Sequence, residues 1–195
     1  AVSKKQPLEK IRDAAAAGQR HFGENFVQEG VDKIEALADA DLTWHFIGHL
    51  QSNKTRVVAE YFDWVHTIDK IKTARRLSEQ RPDHLPPLNI CLQVNVDDED
   101  SKAGVTPAAL PELAAACVEL PNLRIRGLMC LPAIRTGLDQ QRVPFAALRR
   151  LAEQLRTEGI DTDTLSMGMS ADYPAAILEG ATIVRIGTAL FGARN

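Results

Sequence analysis

The sequence predicts an α/β chain folded as a single (β/α)8 barrel of the TIM type, spanning residues 1–195. Two observations carry this. Eight short, apolar, β-branched runs alternate with longer amphipathic stretches, and strands that alternate with helices pair in parallel. In addition, polar and glycine residues collect at the carboxyl ends of the runs, where a barrel of this kind carries its functional face.

The strand candidates are Ala1–Ser3, His21–Phe22, Thr43–Ile47, Trp64–Ile68, Leu88–Val96, Leu123–Leu131, Thr164–Met167 and Thr182–Ile186. Within Leu88–Val96, Ile90, Leu92, Val94 and Val96 lie on one face and Cys91 on the other, as in a strand covered on both sides. Helical spacing links Val27, Val31 and Ile34, then Leu110, Leu113, Ala114 and Cys117, then Phe145, Leu148, Ala152 and Leu155. Pro7 suits the first turn of a helix running through Gln19. Gly18 and Gly180 fall where helices stop before strands. An open, doubly wound sheet is the structural rival. No linker or second domain is visible.

Composition narrows the function classes. Against 23 Lys and Arg stand 26 Asp and Glu, a net charge of −3 with no basic cluster, which argues against a nucleic-acid-binding protein. No apolar run approaches the roughly 18 residues that span a bilayer, and no secretory signal is seen. Cys91, Cys117 and Cys130 sit in apolar segments without metal-ligand spacing, which reads as buried thiols in a reducing compartment. The expected location is the cytoplasm, and the expected state a monomer. Ala1-Val2-Ser3 already reads as strand, so an N-terminal segment is expected to be missing.

The carboxyl ends of the last two strands offer a phosphate cup. Ser166, Gly168 and Ser170 follow one strand, and Gly187 and Thr188 the next. Phosphate binds barrels there, often at a helix N-terminus. The stretch Ala171–Leu178 reads as a short helix with Ser170 as its N-cap. Turn and capping duty without a ligand is the alternative. Lys4 closes the first strand and shares a face with Val2, whereas Lys5 shares the other face with Ser3. A lysine amine in a partly desolvated mouth can attack an aldehyde. A lysine facing a phosphate cup is what a Schiff base to pyridoxal 5′-phosphate requires. Arg185, barrel-facing, needs a partner. It either keeps a bound ring nitrogen unprotonated or pairs with a carboxylate such as Glu24.

Six stretches resemble the pyridoxal-phosphate homeostasis protein family: AVSK at 1–4, GQRHFGENFVQE at 18–29, WHFIGHLQSNK at 44–54, GLMCLP at 127–132, LSMGMSADYPAAI at 165–177 and VRIGTALFG at 184–192. The resemblance implies the alanine-racemase barrel of fold-type III, with the cofactor attached covalently at Lys4. It implies phosphate at the SMGMS and RIGT segments, Arg185 at the ring nitrogen, and Asn25 and His45 lining the same mouth. Lys5 and Gln6 stand where the family often has Thr and Lys, and the helix that the family carries before its first strand is absent.

The resemblance further implies a non-catalytic carrier that buffers the cofactor and hands it to apo-enzymes. A pyridoxal-phosphate-dependent racemase and a cofactor-free barrel enzyme for a phosphorylated metabolite are the rivals. Racemisation needs a base on each face of the substrate carbon, and only Lys4 is expected at the mouth. Tyr61 ends one helix and Tyr173 opens another, and the chain stops at Asn195.

Overall fold

The computed structural model describes residues 1–97 and 103–192. Seven strands run in chain order, β1 His21–Glu24, β2 Thr43–Phe46, β3 Trp64–Ile68, β4 Leu88–Gln93, β5 Leu123–Met129, β6 Thr164–Met169 and β7 Ile183–Arg185. Each pairs in parallel with the next. Parallel neighbours need a crossover, and helices α1 Leu8–Ala16, α2 Val27–Ala36, α3 Thr55–Tyr61, α4 Ile71–Gln80, α5 Leu110–Val118, α6 Leu138–Thr157, α7 Tyr173–Leu178 and α8 Thr188–Phe191 stand on the outside.

The eighth stave is shorter than the sequence suggests. Residues 1–3 form only an isolated parallel bridge, Val2 with Gly23. Even so, they close the barrel. Val2 donates its N–H to the Ile186 carbonyl at 2.7 Å, and Ser3 donates to the Gly23 carbonyl at 3.0 Å. Residues 1–3 therefore span the gap between β7 and β1. Two expected strands are also trimmed. Leu88–Val96 ends at Gln93, after which Val94 bridges Val105, and the expected 123–131 strand stops at Met129.

Side-chain alternation divides the core. Outward-facing Phe22, Phe46, Val65, Ile90 and Leu92 pack under Leu77, Leu113 and Leu148 of the helices. Inward-facing Trp64, Cys91 and Met129 form a small separate cluster. All three cysteines are buried and free, and burial pushes the Cys91, Cys117 and Cys130 thiols up to about 12, 11 and 12. Such thiols are inert, as their apolar context suggests. Among the described residues no helix is long and apolar enough to cross a membrane.

Two glycines allow close approaches at the carboxyl ends of the strands. A Cβ on Gly48 would lie 2.0 Å from the Asn25 carbonyl oxygen. One on Gly168 would lie 2.6 Å from Ala176 Cβ and 3.1 Å from Tyr173 Cα, and Gly168 has φ +91°. These contacts draw the loop after β2 onto β1, and α7 onto the end of β6.

Candidate functional site at the carboxyl mouth of the barrel

Lys4 follows the closing segment directly. With Val2 tied to Ile186 and Ser3 to Gly23, its main chain stands between Ile186-Gly187 after β7 and Glu24-Asn25 at the end of β1. Lys4 is half-buried and Lys5 exposed. Val2 lines the barrel interior, whereas the Ser3 hydroxyl turns outward to Glu24 Oε1 at 2.6 Å. Lys4 follows two residues after Val2, at the point where the segment leaves its pairing with β1 and turns.

Beneath Ser3 lies a buried ionic cluster. Lys33 Nζ of α2 lies 2.7 Å from Glu24 Oε1 and 2.7 Å from Glu29 Oε1. Burial pushes the Glu24 carboxyl up, against the lowering pull of Lys33 and Ser3. Glu24 Oε2 is buried without a hydrogen-bond partner, as is Asn25 Oδ1. Because Glu24 is committed to Lys33, it is not the partner of Arg185.

Arg185 instead holds two neutral oxygens. Nη1 donates to Ser166 Oγ at 2.7 Å and Nη2 to the Cys130 carbonyl at 2.8 Å. Among the described residues it forms no ion pair, and burial pushes its guanidinium below the usual arginine range. Ser166 continues a chain down the barrel axis. His66 Nδ1 lies 2.8 Å from Ser166 Oγ, His45 Nδ1 2.9 Å from His66 Nε2, and His21 Nδ1 2.9 Å from His45 Nε2. Burial holds His45 well below the ordinary imidazole value and His66 down to about 3. His21 ends the chain at a cavity of about 770 Å³ on the amino-terminal side of the barrel, bounded also by Trp64, Arg126 and Ile183.

Three expectations need correction. Ser166 is fully buried, and its hydroxyl is engaged by Arg185 and His66, so it supports Arg185 instead of opening toward a phosphate. His45 lies inside the histidine chain, with both ring nitrogens engaged by His21 and His66, so neither is free to meet a ligand at the mouth. Ser170 is exposed and does not cap α7, whose N-cap is Asp172. Pro174 takes a place in the first helical turn, which starts the helix at Tyr173 and leaves Ser170 in the loop. Asp172 Oδ1 accepts the Met169 N–H at 2.6 Å. Gly168, Gly187 and Thr188 do lie at adjacent strand ends, Gly187 buried and Thr188 opening α8.

The site expected from the sequence includes neither His66 nor Lys33. Alternation within Trp64–Ile68 places His66 inward with Trp64, a signal readable in advance. Lys33 resembles an ordinary helix-surface partner of Glu29 at i,i+4, and only the carboxylate ending β1 reveals that it is buried.

Comparison with known proteins identifies the family. The family described as alanine racemase, N-terminal domain, matches residues 3–195. A pyridoxal phosphate homeostasis protein of Pseudomonas aeruginosa is 58% identical over 195 residues, covering 100% of this chain and 84% of that protein. The chain belongs to the pyridoxal phosphate homeostasis protein family. The Escherichia coli K12 member is 55% identical, covering 100% of this chain and 85% of its own length. PipY of Synechococcus elongatus, solved with PLP bound, superposes with a TM-score of 0.90 at 42% identity, over 98% of this chain and 91% of PipY. Alanine racemase from Corynebacterium glutamicum, at 16% identity and TM-score 0.75 over 99% of this chain and 55% of its own, shares the barrel fold with the homeostasis family.

Proposed function

We propose that the chain binds pyridoxal 5′-phosphate covalently through Lys4 and serves as a carrier that yields the cofactor to apo-enzymes. The observation that carries this reading is the place of Lys4 at the carboxyl mouth, with the Gly187-Thr188 turn on one side and Asn25 on the other. Its relatives' name and the PLP bound to PipY support the choice of cofactor.

The residues present fit such a group. Asn25 Oδ1 is a buried acceptor with an open valence, and Gly168 brings the end of β6 against α7 where a Cβ would intrude. Gly168, Ser170, Gly187 and Thr188 would hold the phosphate with main-chain N–H groups and hydroxyls. Arg185 would face the ring nitrogen. When bound, the cofactor supplies an aldehyde and an electron-withdrawing ring. Arg185 cannot accept a proton, and a cation beside the ring nitrogen disfavours its protonation, so the ring stays a weak electron sink. That suits holding the cofactor better than turning over amino acids.

Borohydride reduction of the loaded protein, followed by peptide mapping, tests the attachment. The pyridoxyl group is expected on Lys4, and finding it on Lys5 or Lys54 overturns the assignment.

A further inference from the structure

Both peptide units that flank Lys4 are tied to one buried cluster. On the amino side, the Ser3 carbonyl accepts from Lys33 Nζ at 2.7 Å, and the Ser3 hydroxyl donates to Glu24 Oε1 at 2.6 Å. On the carboxyl side, the Lys5 N–H donates to Glu29 Oε1. Lys33 joins the two halves, because the same ammonium donates to Glu24 Oε1 and to Glu29 Oε1, each at 2.7 Å. An ammonium has three protons. Ser3, Glu24 and Glu29 take all three.

The cluster is an expensive way to fill the space between β1 and α2. Lys33 is 5% exposed and Glu24 0%, and replacing a buried pair by apolar side chains is often neutral or stabilising. Stability alone therefore does not explain it. Its geometric effect is specific. Lys5 has φ +58°, the only positive φ of a non-glycine residue among those described, and its N–H is held by Glu29. The chain turns sharply there instead of running on as a strand, so Lys4 remains at the rim.

We propose that Lys33, Glu24 and Glu29 are positioning residues for Lys4, clamping the main chain on both sides so that its amine meets a carbonyl compound bound at the mouth. The proposal rests on the reading of Lys4 as the attachment residue. Attachment joins the Lys4 nitrogen to the aldehyde carbon and releases water, and its rate depends on alignment.

The test compares wild type with the charge-balanced pair Glu24→Gln/Lys33→Met and with Glu29→Ala. Pyridoxal 5′-phosphate is the reactive probe. Pyridoxine 5′-phosphate, which has no aldehyde, reports ring and phosphate binding alone. In the pair, attachment at Lys4 is expected to slow by roughly 10- to 100-fold, with the dissociation constant for pyridoxine 5′-phosphate unchanged. In Glu29→Ala, attachment slows less and the Lys5 amide exchanges faster with solvent. Wild-type attachment rates in both variants overturn the clamp. Should the pair fail to fold, Glu29→Ala decides alone, and unchanged attachment together with unchanged Lys5 exchange overturns it. Mapping of the wild-type label to another lysine overturns the Lys4 reading and the clamp with it, a result distinguished by the labelled peptide.

Discussion

His66 and Arg185 meet on one hydroxyl: Ser166 Oγ lies 2.8 Å from His66 Nδ1 and 2.7 Å from Arg185 Nη1. Arginine carries no acceptor, so the oxygen accepts from Arg185. Ser166 is fully buried, and among its side-chain contacts in the described residues His66 Nδ1 is the acceptor left for its own proton. His66 must then donate through Nε2 to His45 Nδ1, and His45 through Nε2 to His21 Nδ1. A cation at the carboxyl end of β7 thus sets the tautomer of every ring down the barrel axis.

Ser166→Ala removes that anchor. It leaves one Arg185 donor unpaired in the interior and is expected to cost about 1.5–3 kcal/mol in urea unfolding, as for a hydrogen bond to a charged group. Ring nitrogen NMR shifts report the chain itself. In the wild type, His66 and His45 should each be Nε2–H tautomers, and in Ser166→Ala the His66 signals should move toward a mixture. A pure Nδ1–H tautomer at wild-type His66 would refute the polarity.

The depressed His66 value makes stability depend on pH in a definite direction. Its pKa falls from an ordinary 6.5 to about 3 in the folded protein, so below pH 6.5 the unfolded chain binds a proton that the folded one does not. The neutral, buried ring contributes fully above 6.5, and that contribution is lost as pH falls toward 3. The loss is about 1.4 kcal/mol per pH unit. Between pH 6 and 4, His66→Asn should therefore show a shallower fall in unfolding free energy than wild type by about that slope. Parallel curves would mean that His66 titrates in the folded state as it does in the unfolded chain.

Gly168→Ala tests the junction of β6 and α7. The backbone is left-handed there, and the new methyl would lie 2.6 Å from Ala176 Cβ and 3.1 Å from the Tyr173 main chain. Strain and overpacking together should destabilise the protein by about 2–4 kcal/mol. Under the proposed function, affinity for pyridoxal 5′-phosphate should also fall more than affinity for pyridoxal. A fully stable variant would show that α7 can move away freely.

Much of the barrel is legible in the sequence because its signals are local. Alternating runs such as Trp64–Ile68, and the helical spacing of Phe145, Leu148, Ala152 and Leu155, need only neighbouring residues. The closing segment is less legible. Ala1–Ser3 looks like a strand, but its short pairing depends on Gly23 and Ile186, both distant in sequence. The site divides in the same way. Lys4, Gly168 and Gly187 announce themselves at strand ends, whereas the duty of Ser166 depends on Arg185 and His66, which are 19 and 100 residues away. The burial of Lys33 is not legible in the sequence, because its second carboxylate, Glu24, lies on another element.

The carrier reading separates most sharply from the racemase in a two-armed experiment. Racemisation needs a proton donor and acceptor on opposite faces of the substrate carbon, together with a strong electron sink. Of the two tyrosines in the chain, Tyr61 is committed elsewhere: its hydroxyl donates to Glu35 on α2 at 2.9 Å, outside the barrel. Tyr173 opens α7 beside Gly168 and is half-exposed, so Tyr173→Phe serves as the control. Arg185, held by Ser166 and the Cys130 carbonyl, would keep the ring a weak sink. In the first arm, the loaded protein is incubated with single L-amino acids and their chirality is followed. In the second, it is mixed with an apo form of an unrelated pyridoxal-phosphate enzyme and the recovered activity is followed. We expect no racemisation in the first arm and reactivation in the second, with Tyr173→Phe matching wild type in both. Turnover above roughly 1 per second, abolished by Tyr173→Phe, would establish a second base and overturn the carrier. Failure to reactivate any acceptor would limit the protein to storing the cofactor.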